Sequence, residues 1–233
     1  MKSPKHYLEK ARRLMQRMPK EYRKRLSMTL SDWLIYHQDE IVFKQVAWMG
    51  VRTLKNPLDC WIYQEIVHEV RPEVIVEIGS FEGGSTLYFC HLLDILGEGK
   101  VLSIDIDRSR FQVSHPRIEL LTGDSASPEI VAKAREMCAG KRTLVIHDGD
   151  HTQEHVVADL EAYAGMVSVG SYLIVEDSIV DLFKPGEGPG QKWTGPLPAI
   201  DEFVRRNPNF SIDMERERYI LTYNPHGYLK RIR

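Results

Sequence analysis

The sequence is poor in cysteine and has no long hydrophobic run, and each shortage excludes a class of protein. Its 233 residues contain three cysteines, Cys60, Cys90 and Cys138, which lie far apart and form no CxxC pair. A disulfide framework and a cysteine-based zinc knuckle are therefore excluded, and a reducing cytoplasm is the expected location. No apolar stretch approaches the roughly 18 residues of a membrane-spanning helix, and the basic, polar start is unlike a signal peptide. We expect no integral membrane segment.

Charge is distributed unevenly along the chain. The first 30 residues carry ten Lys or Arg and two Glu, whereas the remaining residues carry 21 basic and 31 acidic side chains. Apolar residues in the basic part recur at the spacing of an amphipathic helix: Leu8, Ala11, Leu14, Met15 and Met18. A basic arm, residues 1–50, is a candidate for binding nucleic acid or an anionic membrane. We expect instead that it docks on an acidic body and supports a homo-oligomer, with no nucleic-acid partner.

From residue 74 onwards, short apolar runs alternate with helix-length amphipathic stretches. The apolar runs predict buried parallel strands at Val74–Ile78, Val101–Ile104, Ile118–Leu121, Thr143–Ile146 and Tyr172–Val175. Helices are predicted between them at Ser85–Leu96, Pro128–Cys138 and Thr152–Met166. This alternation is typical of an α/β, doubly wound sheet that binds ligands at the carboxyl ends of its strands.

After the fifth predicted strand the sequence becomes rich in glycine and proline. Residues 184–198 contain four Gly and four Pro, which predicts a long loop at the mouth of the site. Trp193 in this loop is the side chain expected to cover an acceptor. A helix is predicted at Ala199–Arg206, followed by an antiparallel strand pair at Phe210–Glu215 and Tyr219–Tyr223.

A glycine-rich turn, EIGSFEGGS at residues 77–85, follows the first strand and precedes a helix. Glycines there let the backbone approach a ligand and expose amide groups at the start of the helix. The spacing is not GxGxxG, and the carboxylate of Glu77 would repel a pyrophosphate, so a dinucleotide is disfavoured. A carboxylate at this position suits a ligand with an ammonium or sulfonium group, such as S-adenosylmethionine. The alternative is an ordinary tight turn.

Acidic residues also follow the second and third strands. Asp105 is placed to accept both hydroxyls of a ribose, and Asp124 to meet an adenine edge, although either can instead cap a helix. Acidic residues at successive strand ends predict one adenosyl ligand lying across the switch point of the sheet. The predicted cofactor-binding residues are Glu77, Gly79, Ser80, Gly83, Ser85, Asp105, Asp124, Ser125 and Asp148.

Carboxylates cluster after the fourth and fifth strands as well. Asp148 and Asp150 end one strand, and Glu176 and Asp177 end the next. Because these strand ends can be neighbours in a parallel sheet, the carboxylates would repel one another and raise one another's pKa values. A hard divalent cation removes that conflict, and Mg²⁺ fits oxygen ligands best. The alternative is a set of acidic caps on solvated loops.

A rival motif overlaps the carboxylate cluster. The segment His151-Thr-Gln-Glu-His155 matches HxxEH, the inverted zinc-protease signature, and keeps a zinc-dependent hydrolase as an alternative function. That signature belongs inside a helix. Here it follows a strand-to-helix turn directly, so we disfavour the zinc interpretation.

Several stretches together resemble the class I S-adenosylmethionine-dependent methyltransferases of the family named for cephalosporin hydroxylase and rhamnosyl O-methyltransferase. They read WMGVRTLKNPLD, EIGSFEGGS, VLSIDID, VIHDGDHTQEHVVADL, GSYLIVEDSIV and GYLKRIR. The resemblance implies a mostly parallel, seven-stranded, Rossmann-like sheet in a methyltransferase domain at residues 51–233. It also implies S-adenosylmethionine and Mg²⁺ as cofactors, and methyl transfer to a hydroxyl of a sugar or natural-product acceptor. The basic arm has no counterpart in it.

The resemblance further assigns roles within the carboxylate cluster. Asp148, Glu176 and Asp177 are expected to be the metal ligands, with Asp150 as a further ligand, an orienting residue or a helix cap. His151, three residues after Asp148, is expected to act as the general base, so His151 and Asp148 are the predicted catalytic residues.

Overall fold

The computed structural model describes residues 4–183 and 194–233. The strands are β1 Ala47–Trp48, β2 Val51–Arg52, β3 Val74–Ile78, β4 Lys100–Asp105, β5 Ile118–Thr122, β6 Thr143–His147, β7 Tyr172–Val175, β8 Phe210–Ile212 and β9 Tyr228–Arg231. The α-helices are α1 Pro4–Arg17, α2 Lys20–Arg25, α3 Leu30–Tyr36, α4 Phe43–Gln45, α5 Pro57–Val70, α6 Gly84–Leu96, α7 Pro128–Cys138, α8 Gln153–Tyr163 and α9 Pro196–Arg206.

The main sheet has seven strands in the order β5-β4-β3-β6-β7-β9-β8. The first five of these pair in parallel, and β9 pairs antiparallel with both β7 and β8. The order reverses between β3 and β6, which is the switch point where doubly wound sheets bind ligands. The predicted fold class is confirmed.

The sheet is buried on both faces, which explains its near-continuous apolar strands. Alternate side chains of β3 point to opposite faces, so Val76 packs with helices α7, α8 and α9, and Ile75 packs with α5 and α6. Every residue of β3, β6 and β7 is buried. The rigid sheet fixes the loops at its carboxyl edge, where the predicted site residues lie.

The strand predicted at Tyr219–Tyr223 is wrong. This segment is irregular, because its hydrogen bonds go to a buried carboxylate rather than to a neighbouring strand. Thr222 Oγ1 donates to Asp59 Oδ1 (2.6 Å), and the Tyr223 amide donates to Asp59 Oδ2 (2.9 Å). The antiparallel partner is β9, which lies within the GYLKRIR stretch. The preceding strand β8 is shorter than predicted, because a 3₁₀ turn at Met214–Glu217 follows it.

Two other boundaries differ from the prediction. Helix α9 begins at Pro196, whose fixed φ suits the first turn of a helix, three residues before the predicted start. The third predicted helix ends earlier, at Tyr163, and continues as a 3₁₀ turn to Met166. Most of the predicted 184–198 loop, with Trp193, lies outside the described residues.

The N-terminal arm is helical, as predicted. On its first helix, α1, the apolar side chains of Leu8 and Leu14 are 60% and 57% exposed. After α3 the chain makes a π-helical turn, His37–Val42, before it joins the sheet domain through β1 and β2. None of the helices in the described part of the chain is long and apolar enough to cross a membrane.

Candidate active site

A cavity of about 800 Å³ opens at the carboxyl ends of the parallel strands. Its volume lies towards the upper end of the roughly 300–1,000 Å³ of ligand pockets, which leaves room for two ligands side by side. Residues that follow five successive strands line it, among them Ser80, Asp105, Asp124, Asp148 and Asp177. The sheet topology therefore brings together the acidic residues that the sequence places at separate strand ends.

The glycine turn packs against the loop after β6 so closely that a side chain is excluded. Gly79 has φ of +81°, and a Cβ atom there would lie 2.0 Å from the Asp148 carbonyl oxygen. The Gly79 amide donates to the Ile104 carbonyl (2.8 Å), and the Asp148 amide donates to the Ile78 carbonyl (2.7 Å). These contacts fix the turn relative to the carboxylate that opens the acidic cluster.

Most of the predicted cofactor-binding residues line the cavity, and two do not. The lining members are Gly79, Ser80, Ser85, Asp105, Asp124, Ser125 and Asp148. Glu77 is fully buried beneath the turn, where its carboxylate accepts a hydrogen bond from Thr86. Gly83 lies against Phe111 and Val113. The structure therefore puts both residues behind the cavity wall.

Asp105 shapes the glycine turn as well as lining the cavity. Its Oδ2 accepts hydrogen bonds from the amides of Ser80 (2.8 Å) and Phe81 (3.0 Å), and its Oδ1 accepts one from Asp107 (3.1 Å). Burial raises the pKa of Asp105, but these amide donors outweigh burial and hold the pKa below its usual value. The carboxylate is thus charged and fixed in place.

Asp148, His151 and Asp177 converge at one wall of the cavity. Nε2 of His151 lies 3.5 Å from Asp148 Oδ1 and 3.8 Å from Asp177 Oδ2. One donor atom from each of the three residues lies within 4.8 Å of the others. His151 Nε2 is buried and has no hydrogen-bond partner among the described residues. We call these three residues the acidic cluster.

Lys55 is the cation that the structure supplies to the buried carboxylates. Its ammonium is 3% exposed, forms an ion pair with Asp148 and lies 2.8 Å from Glu176 Oε1. Burial lowers the pKa of Lys55, but Asp148 and Glu176 outweigh burial and raise the pKa above its ordinary value. Glu176 therefore faces Lys55 behind the cavity wall, while Asp177 faces the cavity.

The pKa values of the other buried groups in this region are shifted in different directions. Burial raises the pKa of Asp148, but Lys55 and His151 outweigh it and hold the pKa below its usual value. Burial beside Asp148 raises the pKa of Glu176 well above its usual value. Burial lowers the pKa of His151, yet the adjacent carboxylates raise it to about 9. Opposing shifts among neighbouring buried groups are typical of functional sites.

The acidic cluster fits a hard divalent cation. Asp148 and Asp177 place carboxylate oxygens close together, as a hard cation requires. Beside them lies the buried Nε2 atom of His151, which has no hydrogen-bond partner among the described residues. Asp177 has φ of +58°, a backbone strain that is common at functional sites and that turns its side chain from the end of β7 into the cavity.

Comparisons with known proteins agree with this geometry. The family model described as Rhamnosyl O-methyltransferase/CmcI matches residues 40–232. The chain belongs to this family. The rhamnosyl O-methyltransferase of Mycobacterium tuberculosis is 32% identical over 207 residues, which cover 84% of this chain and 82% of that protein. The Mycobacterium leprae protein of the same name is 32% identical over 206 residues, covering 84% and 87%.

Solved structures of the Rhamnosyl O-methyltransferase/CmcI family share the fold. A structure described as "cmcI-D160 Mg-SAM" aligns with a TM-score of 0.64 at 24% identity, over 93% of this chain and 88% of that one. A structure described as "CmcI-N160 apo-structure" aligns with a TM-score of 0.63 at 25% identity, over 93% and 87%. The chain is an S-adenosylmethionine-dependent O-methyltransferase of the Rhamnosyl O-methyltransferase/CmcI family, which confirms the predicted enzyme class.

The zinc-hydrolase alternative is wrong for this member of the family. His151 precedes α8 and faces Asp148 and Asp177, whereas His155 Nε2 lies 3.6 Å from the buried Asp159. The two imidazoles therefore lie near different carboxylates, and among the described residues His155 does not join His151 in a candidate metal site. The strand-to-helix turn that the sequence indicated is the physical reason.

Asp150 stabilises the turn that leads into α8. Its Oδ1 accepts a hydrogen bond from the Thr152 amide (2.8 Å), just before α8 begins, and this bond holds its pKa below the usual value. Asp150 is therefore not the N-cap of α8, which is Thr152, and its role as a ligand or an orienting residue stays a prediction. Lys55 was missed, although it lies in the matching stretch WMGVRTLKNPLD; a lysine is not itself a signal of metal or cofactor chemistry.

Proposed function

We propose that the chain transfers the methyl group of S-adenosylmethionine to a hydroxyl of a sugar or glycosylated natural product, with Mg²⁺ at the acidic cluster. The convergence of Asp148, His151 and Asp177 opposite the glycine turn carries this proposal. The names of the mycobacterial relatives support a rhamnose-like acceptor, and the related structure described as "cmcI-D160 Mg-SAM" supports both cofactors.

The glycine turn and the acidic residues beside it would hold the cofactor. Ser80, Asp105 and Asp124 offer polar groups along one side of the cavity, where an adenosine fits across the switch point. Asp148 and Asp177, with Glu176 behind them, would hold the metal. A bound Mg²⁺ polarises a hydroxyl and lowers its pKa.

His151 would take the proton from the acceptor hydroxyl as its oxygen attacks the methyl group and the bond from that carbon to sulfur breaks, releasing S-adenosylhomocysteine. With Mg²⁺ bound, the charges of Asp148 and Asp177 that raise the pKa of His151 would be offset, so the imidazole would be neutral and able to accept the proton. The Nε2 atom of His151 is the nitrogen nearest both Asp148 and Asp177, so an acceptor hydroxyl placed at the acidic cluster meets a proton acceptor there. Asp148 would also orient the imidazole ring. The buried wall behind the acidic cluster, closed by Lys55, keeps bulk water from the far side.

Ligand-dependent stability tests the cofactor assignment. Saturating S-adenosylmethionine or S-adenosylhomocysteine is expected to raise Tm by about 5–10 °C, since a ligand at about 100 times its Kd stabilises the folded state by about 2.7 kcal/mol. NAD is expected to give no shift, because the acidic residues that line the cavity beside the glycine turn, Asp105, Asp124 and Asp148, would repel a pyrophosphate. Differential scanning fluorimetry measures all three, and an equal response to NAD would refute the assignment.

We also propose that the arm joins two copies of the chain. Leu8 and Leu14 on the apolar face of α1 are exposed in the part of the chain that the structure describes, and the positive charge of the arm complements the acidic body. Deleting residues 1–30 is expected to lower the mass measured by light scattering while the S-adenosylmethionine shift stays. The double substitution Leu8→Ser, Leu14→Ser should lower the measured mass in the same way, and Arg12→Gln should lower it less. An unchanged mass after the deletion would contradict this role.

The three cysteines form no disulfide bond in the part of the chain that the structure describes. Two of them, Cys90 and Cys138, are buried as thiols in the core clusters. This supports the proposal of a reducing, cytoplasmic location.

A further inference from the structure

One wall of the cavity is formed by a segment outside the sheet. The π-helical turn His37–Val42, together with Phe43, reaches the cavity from the junction between the arm and the sheet domain; Gln38, Asp39 and Phe43 line the cavity. Two backbone hydrogen bonds have i→i+5 spacing, from Phe43 to Gln38 and from Val46 to Ile41. Single π turns are rare in proteins overall, and those that do occur are often found at functional sites.

The π turn is anchored at both of its ends. Nδ1 of His37 lies 2.8 Å from the hydroxyl of Tyr223, and the ring of Trp33 stacks on His37 with centroids 4.3 Å apart. Val42 packs against Tyr223 and Ile179, and Ile179 lies two residues after Asp177. The turn is therefore held in fixed relation to the loop that carries Asp177.

Gln38 is the residue of this turn whose amide oxygen lacks a hydrogen-bond partner among the described residues. Its side chain is 5% exposed, and its Oε1 is buried without a hydrogen-bond partner among the described residues. Buried amide groups in native proteins are almost always hydrogen-bonded, because an unmade bond leaves the cost of desolvation uncompensated. An unpaired amide oxygen at a cavity wall fits a donor supplied by a ligand.

The surroundings of Gln38 suit a carbohydrate. An amide offers both donors and acceptors, as neighbouring sugar hydroxyls do. Phe43 is 42% exposed beside it and presents an aromatic face on which the apolar face of a sugar ring can lie. The family match begins at residue 40, so Gln38 lies outside the matched region, whereas the acidic cluster lies inside it.

We propose that Gln38 is the specificity-determining residue for the acceptor, hydrogen-bonding a sugar hydroxyl other than the one that is methylated. This inference rests on the proposed function: the reacting hydroxyl occupies the acidic cluster, and the rest of the sugar extends to the π turn. A site built to bond a hydroxyl rejects the analogue that lacks it, because its own polar group is then left unpaired.

The test uses methyl α-L-rhamnopyranoside and its monodeoxy analogues with the full chain. The wild-type protein is expected to discriminate against one analogue that keeps the methylated hydroxyl. Gln38→Leu is expected to lower kcat/KM for the parent sugar about 10–100-fold, mainly through KM, and to remove that discrimination. Gln38→Glu, which keeps an acceptor oxygen, should retain part of the discrimination.

Gln64→Leu is the matched control, because the side chain of Gln64 bonds to the Trp61 carbonyl within its own helix, α5, and does not line the cavity. It should leave both the discrimination and the S-adenosylmethionine shift unchanged. Binding of the parent sugar measured by saturation-transfer NMR, which needs no turnover, should weaken in Gln38→Leu alone.

The outcomes separate the two proposals. If the wild-type protein binds S-adenosylmethionine but neither binds nor methylates any sugar of the panel, the acceptor class of the proposed function is refuted, and the role of Gln38 with it. If the wild-type protein methylates the sugars and Gln38→Leu keeps the same order of preference among them, the role of Gln38 alone is refuted.

Discussion

Chelation of divalent cations is expected to lower methyl transfer by at least about 100-fold while S-adenosylmethionine binding stays near normal. A neutral sugar hydroxyl is a poor nucleophile near pH 7, and a metal contributes several kcal/mol by polarising it. The proposed cofactor residues Ser80, Asp105 and Asp124 lie at the ends of β3, β4 and β5, whereas Asp148 and Asp177 follow β6 and β7. Loss of the metal therefore removes the chemistry and spares the cofactor site.

The measurement is turnover of an identified acceptor after dialysis against EDTA, and again after Mg²⁺ is restored, beside a thermal shift with S-adenosylmethionine. Asp177→Asn should lose the response to Mg²⁺. Asp150→Asn is the matched control, because its side chain accepts a hydrogen bond from the Thr152 amide and is not one of the three residues of the acidic cluster, and it should keep that response. Full turnover from protein shown to be free of metal would rule out the metal's role.

Replacing His151 with Ala is expected to lower kcat by about 10²–10⁴-fold, the usual contribution of a general base. The imidazole lies within 4 Å of both Asp148 and Asp177, and its 21% exposed side chain opens to the cavity. The substitution removes the proton acceptor and leaves the carboxylates in place. KM for S-adenosylmethionine should change little, since the loss falls on the chemical step.

His226→Ala is the control for this substitution, because His226 is 41% exposed and pairs with Asp201 away from the cavity. It should turn over at the wild-type rate. Added imidazole should restore part of the activity of His151→Ala. A His151→Ala protein with unimpaired kcat would defeat the assignment of the base.

The sheet could be predicted because its strands carry a strong and local signal. Runs such as Val74–Ile78 and Tyr172–Val175 are apolar at every position or nearly so, since both faces of a parallel sheet are buried. The segment Tyr219–Tyr223 shows the limit of such a pattern. It alternates like a strand, but Asp59, far away in sequence, takes its hydrogen bonds.

The site could be predicted in part for a similar reason. Asp148 and Asp177 could be paired from the sequence because parallel strands end at a common edge. Lys55 and Gln38 could not, since their roles come from burial against groups distant in sequence. Lys55 matters because it meets two carboxylates from different strands, and Gln38 because it lacks a partner among the described residues. Neither property is visible in a residue type or a spacing.

The position of β9 has a consequence for how the chain is made. Of all the strands in the sheet, β9 is the last to leave the ribosome, yet it lies between β7 and β8. Until Tyr228–Arg231 has emerged, β7 presents an open edge of unpaired backbone groups and apolar side chains, which is the kind of edge that recruits other chains. Nascent or truncated chains that have passed β7 but lack β9 are therefore the forms most prone to aggregate and most in need of a chaperone.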